Sequence, residues 1–125
     1  MQQKYYEKQI DIGSPEQYYW NRIEDDPRQP KWQEQQNKYG FDERETWSLD
    51  FTFIAWVYPR LKMYREINAG YPMGITKKQW NKIIDEMIEG FELYLKTDNL
   101  YNKEANEKLE RSLDLFREYI RTIWW

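Results

Sequence analysis

Asp42-Glu43-Arg44-Glu45-Thr46-Trp47-Ser48-Leu49-Asp50, running on through Phe51, Ile54, Tyr58 and Leu61 to Gly70-Tyr71-Pro72, is the stretch whose reading decides the fold. Asp42 and Glu45 have the spacing of a capping box, and Phe41 stands where a hydrophobic staple would pack. Trp47, Phe51, Ile54, Tyr58 and Leu61 then recur at helical spacing, while Phe53, Trp56, Val57 and Tyr64 widen the apolar surface past a single stripe. This predicts one helix over about 42–68, apolar on nearly every face and therefore enclosed. Pro59 has no N–H to offer the carbonyl of Ala55, so a kink or break is expected there. Gly70 suits a left-handed C-terminal cap, with Tyr71-Pro72-Met73-Gly74 as the turn that follows.

Downstream, Thr76-Lys77-Lys78-Gln79 is a second capping box and opens a helix over 76–96. Its apolar positions Trp80, Ile83, Ile84, Met87, Ile88, Phe91, Tyr94 and Leu95 follow the 3.6-residue period. Thr97-Asp98-Asn99 breaks it, and a last helix over 102–124 carries Leu109, Leu113, Phe116, Ile120 and Ile123. Upstream the composition changes: eight of the nine glutamines and three of the five prolines lie in residues 1–40. That segment reads as an arm of short helical pieces, one from Ser14-Pro15 to about Glu24 and one around Trp32. The only strand-like pattern is the brief Gln9-Ile10-Asp11-Ile12. The expected architecture is all-α: a small bundle of three main helices (41–125) preceded by the arm (1–40).

The chain has 125 residues, the size of one domain. It contains neither cysteine nor histidine. Disulfides, Cys/His zinc sites, cysteine nucleophiles and imidazole-based triads are thereby excluded. With a formal net charge of -3, it has no basic field for non-specific nucleic-acid binding. No run reaches the roughly 20 apolar residues of a membrane span, and the first residues lack a signal-peptide core. A soluble cytoplasmic protein is expected.

The block Gly40-Phe41-x-x-Arg44-Glu45-x-Trp47-Ser48-Leu49-Asp50, with its apolar segment, the Gly70-Tyr71-Pro72 turn and the following amphipathic helix, resembles a family of small uncharacterised proteins of tailed bacteriophages and prophages. The likeness spans about 40–94. It implies a phage origin and action in the cytoplasm of an infected bacterial host, and it brings no activity with it.

Among polar candidates, Asp50 has apolar neighbours on both sides, so a partner such as Arg44, Arg60 or Arg65 is expected, as a structural ion pair or as part of a ligand site. Glu86 with Glu89, and Glu107 with Glu110, have the spacing by which all-α nucleotide pyrophosphohydrolases hold magnesium. Here they fall on the polar face of their helices, where a solvated charge run is the simpler reading. The aromatic surplus is harder to bury. Adjacent helical residues point about 100° apart, so Tyr5-Tyr6, Tyr18-Tyr19-Trp20 and Trp124-Trp125 are candidates for an interaction surface. The function these features favour is stoichiometric, non-enzymatic binding of a protein, either a host factor such as a defence protein or a second copy, without a cofactor. The rivals are a nucleotide binder using Trp/Tyr stacking with arginine, the magnesium-dependent hydrolase, and a minor virion or packaging component.

Overall fold

The computed structural model describes residues 26–96 and 102–124. Among them every regular element is helical: α1 (Gln29–Tyr39), α2 (Leu49–Ile67), α3 (Lys77–Lys96) and α4 (Lys103–Tyr119), with 3₁₀ turns at Glu43–Thr46 and Ile120–Thr122. The expected helix from Ser14, the strand-like Gln9–Ile12 and the break at Thr97–Asn99 lie outside the described residues. The chain groups into two compact units, Met1–Trp56 and Val57–Trp125.

In the first unit, α1 begins with Pro30 in its first turn and ends at Gly40, whose φ of 84° is the left-handed conformation that glycine adopts without a Cβ penalty. The Gly40 N–H closes the helix on the Gln36 carbonyl at 2.8 Å. The capping box at Asp42 and Glu45 forms as expected, but it opens a 3₁₀ turn and not the long helix. Thr46 Oγ1 donates to the Glu43 carbonyl at 2.6 Å and the Trp47 N–H reaches Arg44, an i to i+3 pattern that ends the turn after one round. The helix restarts at Leu49, where the Ser48 carbonyl takes the Thr52 N–H and Ser48 Oγ donates to Asp50 Oδ1 at 2.9 Å. The main helix therefore starts seven residues later than the sequence pattern suggests.

Helix α2 runs without interruption through Pro59. It is not enclosed on all sides: Ile54, Ala55, Val57, Tyr58 and Leu61 are buried, whereas Leu49, Phe53, Trp56 and Ile67 are exposed. Gly70 does not cap it in a left-handed conformation. The buried Asn68 instead holds the turn that follows, donating its amide to the Gly70 carbonyl at 2.7 Å and accepting the Gly70 N–H at 3.1 Å. The positive φ (93°) sits four residues on, at Gly74.

The second unit is a three-helix bundle: the second half of α2 with the antiparallel pair α3 and α4. Thr76 Oγ1 accepts the Gln79 N–H and Gln79 Oε1 accepts the Thr76 N–H, completing the box at the start of α3. Asn102 caps α4 through Ala105. Trp80, Ile84, Met87 and Phe91 are wholly buried, as the periodicity of α3 predicts. For α4 the reading shifts by part of a turn. Its innermost residues are Ala105, Ser112 and Leu115, while Leu109, Leu113 and Phe116 flank them and Ile120 is exposed. The cause is the close approach of α3 and α4 at Gly90, where a built Cβ would collide with Ser112 Oγ and the Lys108 carbonyl. Only small side chains fit between backbones so near, so the large apolar residues move to the sides. Ser112 Oγ donates to the Glu86 carbonyl at 2.9 Å, which satisfies its buried hydroxyl.

Candidate functional site

The polar cluster of the first unit is built from two copies of one local motif. In Asp26-Pro27-Arg28 the Arg28 N–H and Nε both donate to Asp26 Oδ1 (2.9 and 3.0 Å), and Nη2 donates to Oδ2 at 2.8 Å. Asp42-Glu43-Arg44 repeats the same three bonds at 2.9, 2.9 and 2.7 Å. Both guanidiniums then lie over the ring of Trp32, Arg28 at 4.8 Å and Arg44 at 4.3 Å from its centroid. Trp47 meets the same ring edge-on at 6.1 Å. The glutamines of α1 hold the turn in place: Gln36 donates to Asp42 Oδ2 at 2.6 Å, and Gln35 exchanges two hydrogen bonds with Glu43.

Arg44 and Asp42 are almost fully buried (6% and 3% exposed side chains). Burial pushes the Asp42 carboxyl up, but hydrogen bonds from Arg44 and Gln36 outweigh it, and the group titrates below the usual carboxylate range. The Arg28 side chain draws Asp26 down to about 2, and the Lys31 ammonium lowers Glu43. A folded-state pKa below the unfolded one contributes stability above the unfolded value, and that stability is lost as pH falls through the folded value. Acidification from pH 4 to pH 2 is therefore expected to weaken the first unit as Asp26 and Asp42 take up protons. Near-ultraviolet circular dichroism of the tryptophans should follow the loss, and a signal unchanged down to pH 2 would contradict the assignment.

Asp50 is exposed and accepts from Ser48. Of the arginines expected near it, Arg44 is bound to Asp42, Arg65 pairs with Asp85 at 2.9 Å, and Arg60 is exposed. The carboxylates considered for magnesium are engaged with cations. Glu89 is taken by Lys108 at 2.6 Å, Glu86 by Arg111 at 3.7 Å and Glu107 by Lys103 at 3.8 Å, while Glu110 is exposed. Glu89 in turn raises the Lys108 ammonium. Among the described residues no group of three or more His, Cys, Asp or Glu side chains is placed to hold a metal ion, nor is any helix long and apolar enough to cross a membrane.

A concave feature of the second unit is a groove of about 900 Å³ between the turn after α2 and the segment after α4. Ala69, Gly70, Tyr71, Pro72, Met73 and Gly74 form one wall, and Thr122 and Trp124 the other. Among the described residues no charged side chain lines it. Met73 is fully exposed (101%), Trp124 72% and Tyr71 57%, which is unusual for three large apolar groups side by side. The turn is held by Asn68 and by Lys77, whose Nζ donates to the Ala69 carbonyl at 3.2 Å. On the other wall, Thr122 Oγ1 donates to the Tyr119 carbonyl at 2.8 Å and the Trp124 N–H to the Thr122 carbonyl at 3.0 Å.

Of the aromatic residues singled out from the sequence, Trp124 lies in this groove. Tyr5, Tyr6, Tyr18, Tyr19, Trp20 and Trp125 lie outside the described residues. Sequence reasoning missed Tyr71, Pro72 and Met73, which look like ordinary turn residues. The available signal was a methionine and a tyrosine in a turn that contains no apolar period to bury them. No known protein-family model matches the chain, and no curated protein or solved structure matches it either.

Proposed function

We propose that this is a non-enzymatic, phage-encoded binding protein that acts stoichiometrically on a host protein, such as a defence factor, in the cytoplasm of the infected bacterium. The observation that carries the reading is the uncharged groove with Tyr71, Met73 and Trp124 standing exposed around it. Large aromatic side chains and methionine concentrate binding energy at protein interfaces, and an uncharged lining suits an apolar segment of a partner better than a nucleotide. Among the described residues no arginine lines the groove to meet phosphate. The phage and host parts of the reading rest on the resemblance of the Gly40–Asp50 block.

The test is capture from lysates of infected and uninfected host cells, with the mass of the free protein measured in parallel. The triple variant Tyr71→Ser, Met73→Ser, Trp124→Ser serves as the control. Each of these side chains is exposed, so the variant should keep the wild-type unfolding midpoint. If each aromatic contributes about 2 kcal/mol, as interface hot spots do, capture should fall more than about tenfold. A wild-type monomer that captures nothing, or a triple variant that captures as well as wild type, would refute the reading. A concentration-dependent dimer lost in the triple variant would assign the groove to a second copy of the chain.

A further inference from the structure

One wall of the groove is attached through a short relay of hydrogen bonds. Trp80, wholly buried in α3, donates its Nε1–H to the Tyr64 hydroxyl at 3.3 Å. The Tyr64 hydroxyl donates in turn to the main-chain carbonyl of Trp124 at 3.3 Å. The direction is forced by chemistry: an indole N–H only donates, a carbonyl only accepts, and a phenol does both. Tyr119, the last residue of α4, packs edge-on against the same Trp80 ring at 5.4 Å. The segment Ile120–Trp124 thus leaves the bundle beside Trp80 and returns to it through the hydroxyl of Tyr64. Between those points its own bonds are local, from Thr122 to Tyr119 and from Trp124 to Thr122.

We propose that Ile120–Trp124 is a strap latched by the Tyr64 hydroxyl, so that making or breaking this bond closes or opens one wall of the groove. Tyr64 is then a positioning residue that acts through Trp124. A partner seated against Trp124 binds the closed strap preferentially and shifts the population toward it. The inference takes the groove to be the binding surface and adds the element that gates it.

Hydrogen–deuterium exchange on the free chain tests the latch without any partner. Tyr64→Phe keeps the ring and deletes the hydroxyl, so the amides of 120–124 should exchange about fivefold faster, the effect of one lost hydrogen bond. Trp80 Nε1–H loses its acceptor as well, so the core amides of α3 and α4 should lose some protection, but less than the strap. Trp124→Ala removes the indole but leaves the carbonyl that Tyr64 holds, so it should leave exchange in 120–123 near wild type. The proposal is overturned if Tyr64→Phe leaves the strap unchanged or loosens α3 and α4 equally, or if Trp124→Ala frees the strap as much as Tyr64→Phe. A latched strap in a chain that captures nothing would refute the binding reading and leave the latch standing.

Discussion

Gly90→Ala is expected to destabilise the chain by about 2 kcal/mol, although alanine is the better helix former by about 1 kcal/mol. The added methyl has nowhere to go. Its position overlaps Ser112 Oγ and the Lys108 carbonyl and falls within 2.8 Å of Ser112 Cβ. The serine can rotate, at the cost of its bond to the Glu86 carbonyl, which contributes about 1 kcal/mol. The Lys108 carbonyl is main chain and cannot move without separating α3 from α4. That separation would loosen the edge-on contact of Phe91 with Phe116 on the same interface. Urea unfolding followed by helical circular dichroism measures the effect. Ser112→Gly in the same chain should recover only part of it, because the carbonyl remains. Gly90→Ala at or above wild-type stability would mean that the two helices are not in contact at this point.

Arg44→Met should cost about 3 kcal/mol at neutral pH, because it leaves the Asp42 carboxylate buried with its cation removed. Asp42 keeps the Gln36 amide and the main-chain N–H of residue 44, but loses both guanidinium bonds. The cation over Trp32 is lost with them. The pH dependence identifies the cause. With Arg44 present, Asp42 titrates below the usual carboxylate range, so the pair stabilises the fold above that range and the benefit disappears in acid. Without Arg44 the burial of Asp42 dominates and its pKa moves up, so protonation relieves the strain. The difference between variant and wild type should therefore shrink as pH falls from 7 to 4. Denaturant titrations at several pH values give that difference directly. A pH-independent loss would assign the effect to packing of the arginine stem. The double variant Asp42→Asn, Arg44→Met should recover part of the neutral-pH loss, since no charge is then left buried.

Helix α3 was fully legible because every signal in it agrees. Thr76 and Gln79 form the cap and Trp80, Ile84, Met87 and Phe91 the buried stripe. Helix α1 around Trp32 and the all-α class were legible for the same reason. The errors share one physical origin: a local pattern whose outcome is set by something it does not encode. The Asp42–Glu45 box specifies a helical start but not whether the turn continues as α or closes as 3₁₀. Gly70 permits a left-handed cap, yet its N–H, which such a cap would direct at the helix, is taken by the Asn68 side chain. The buried face of α4 belongs to Ala105 and Ser112 because Gly90 stands opposite, and no property of α4 alone reports that. Of the candidate site, only Trp124 could be picked out beforehand. Asp42-x-Arg44 and its twin at Asp26-x-Arg28 were visible as letters, but a two-residue spacing carries meaning only when a ring is placed beneath both arginines.

The two Asp-x-Arg clamps also bear on how the first unit comes together in time. Each links residues two apart in sequence, so it forms with almost no loss of loop-closure entropy and needs no distant partner. The contact of Arg44 with Trp32, by contrast, requires the chain between them to close. A chain that is still unfolded can therefore visit both pairings readily, although exposed to water they are too weak to persist and leave its carboxyls near their ordinary values. The clamps consolidate when α1 folds and Trp32 is placed beneath both arginines.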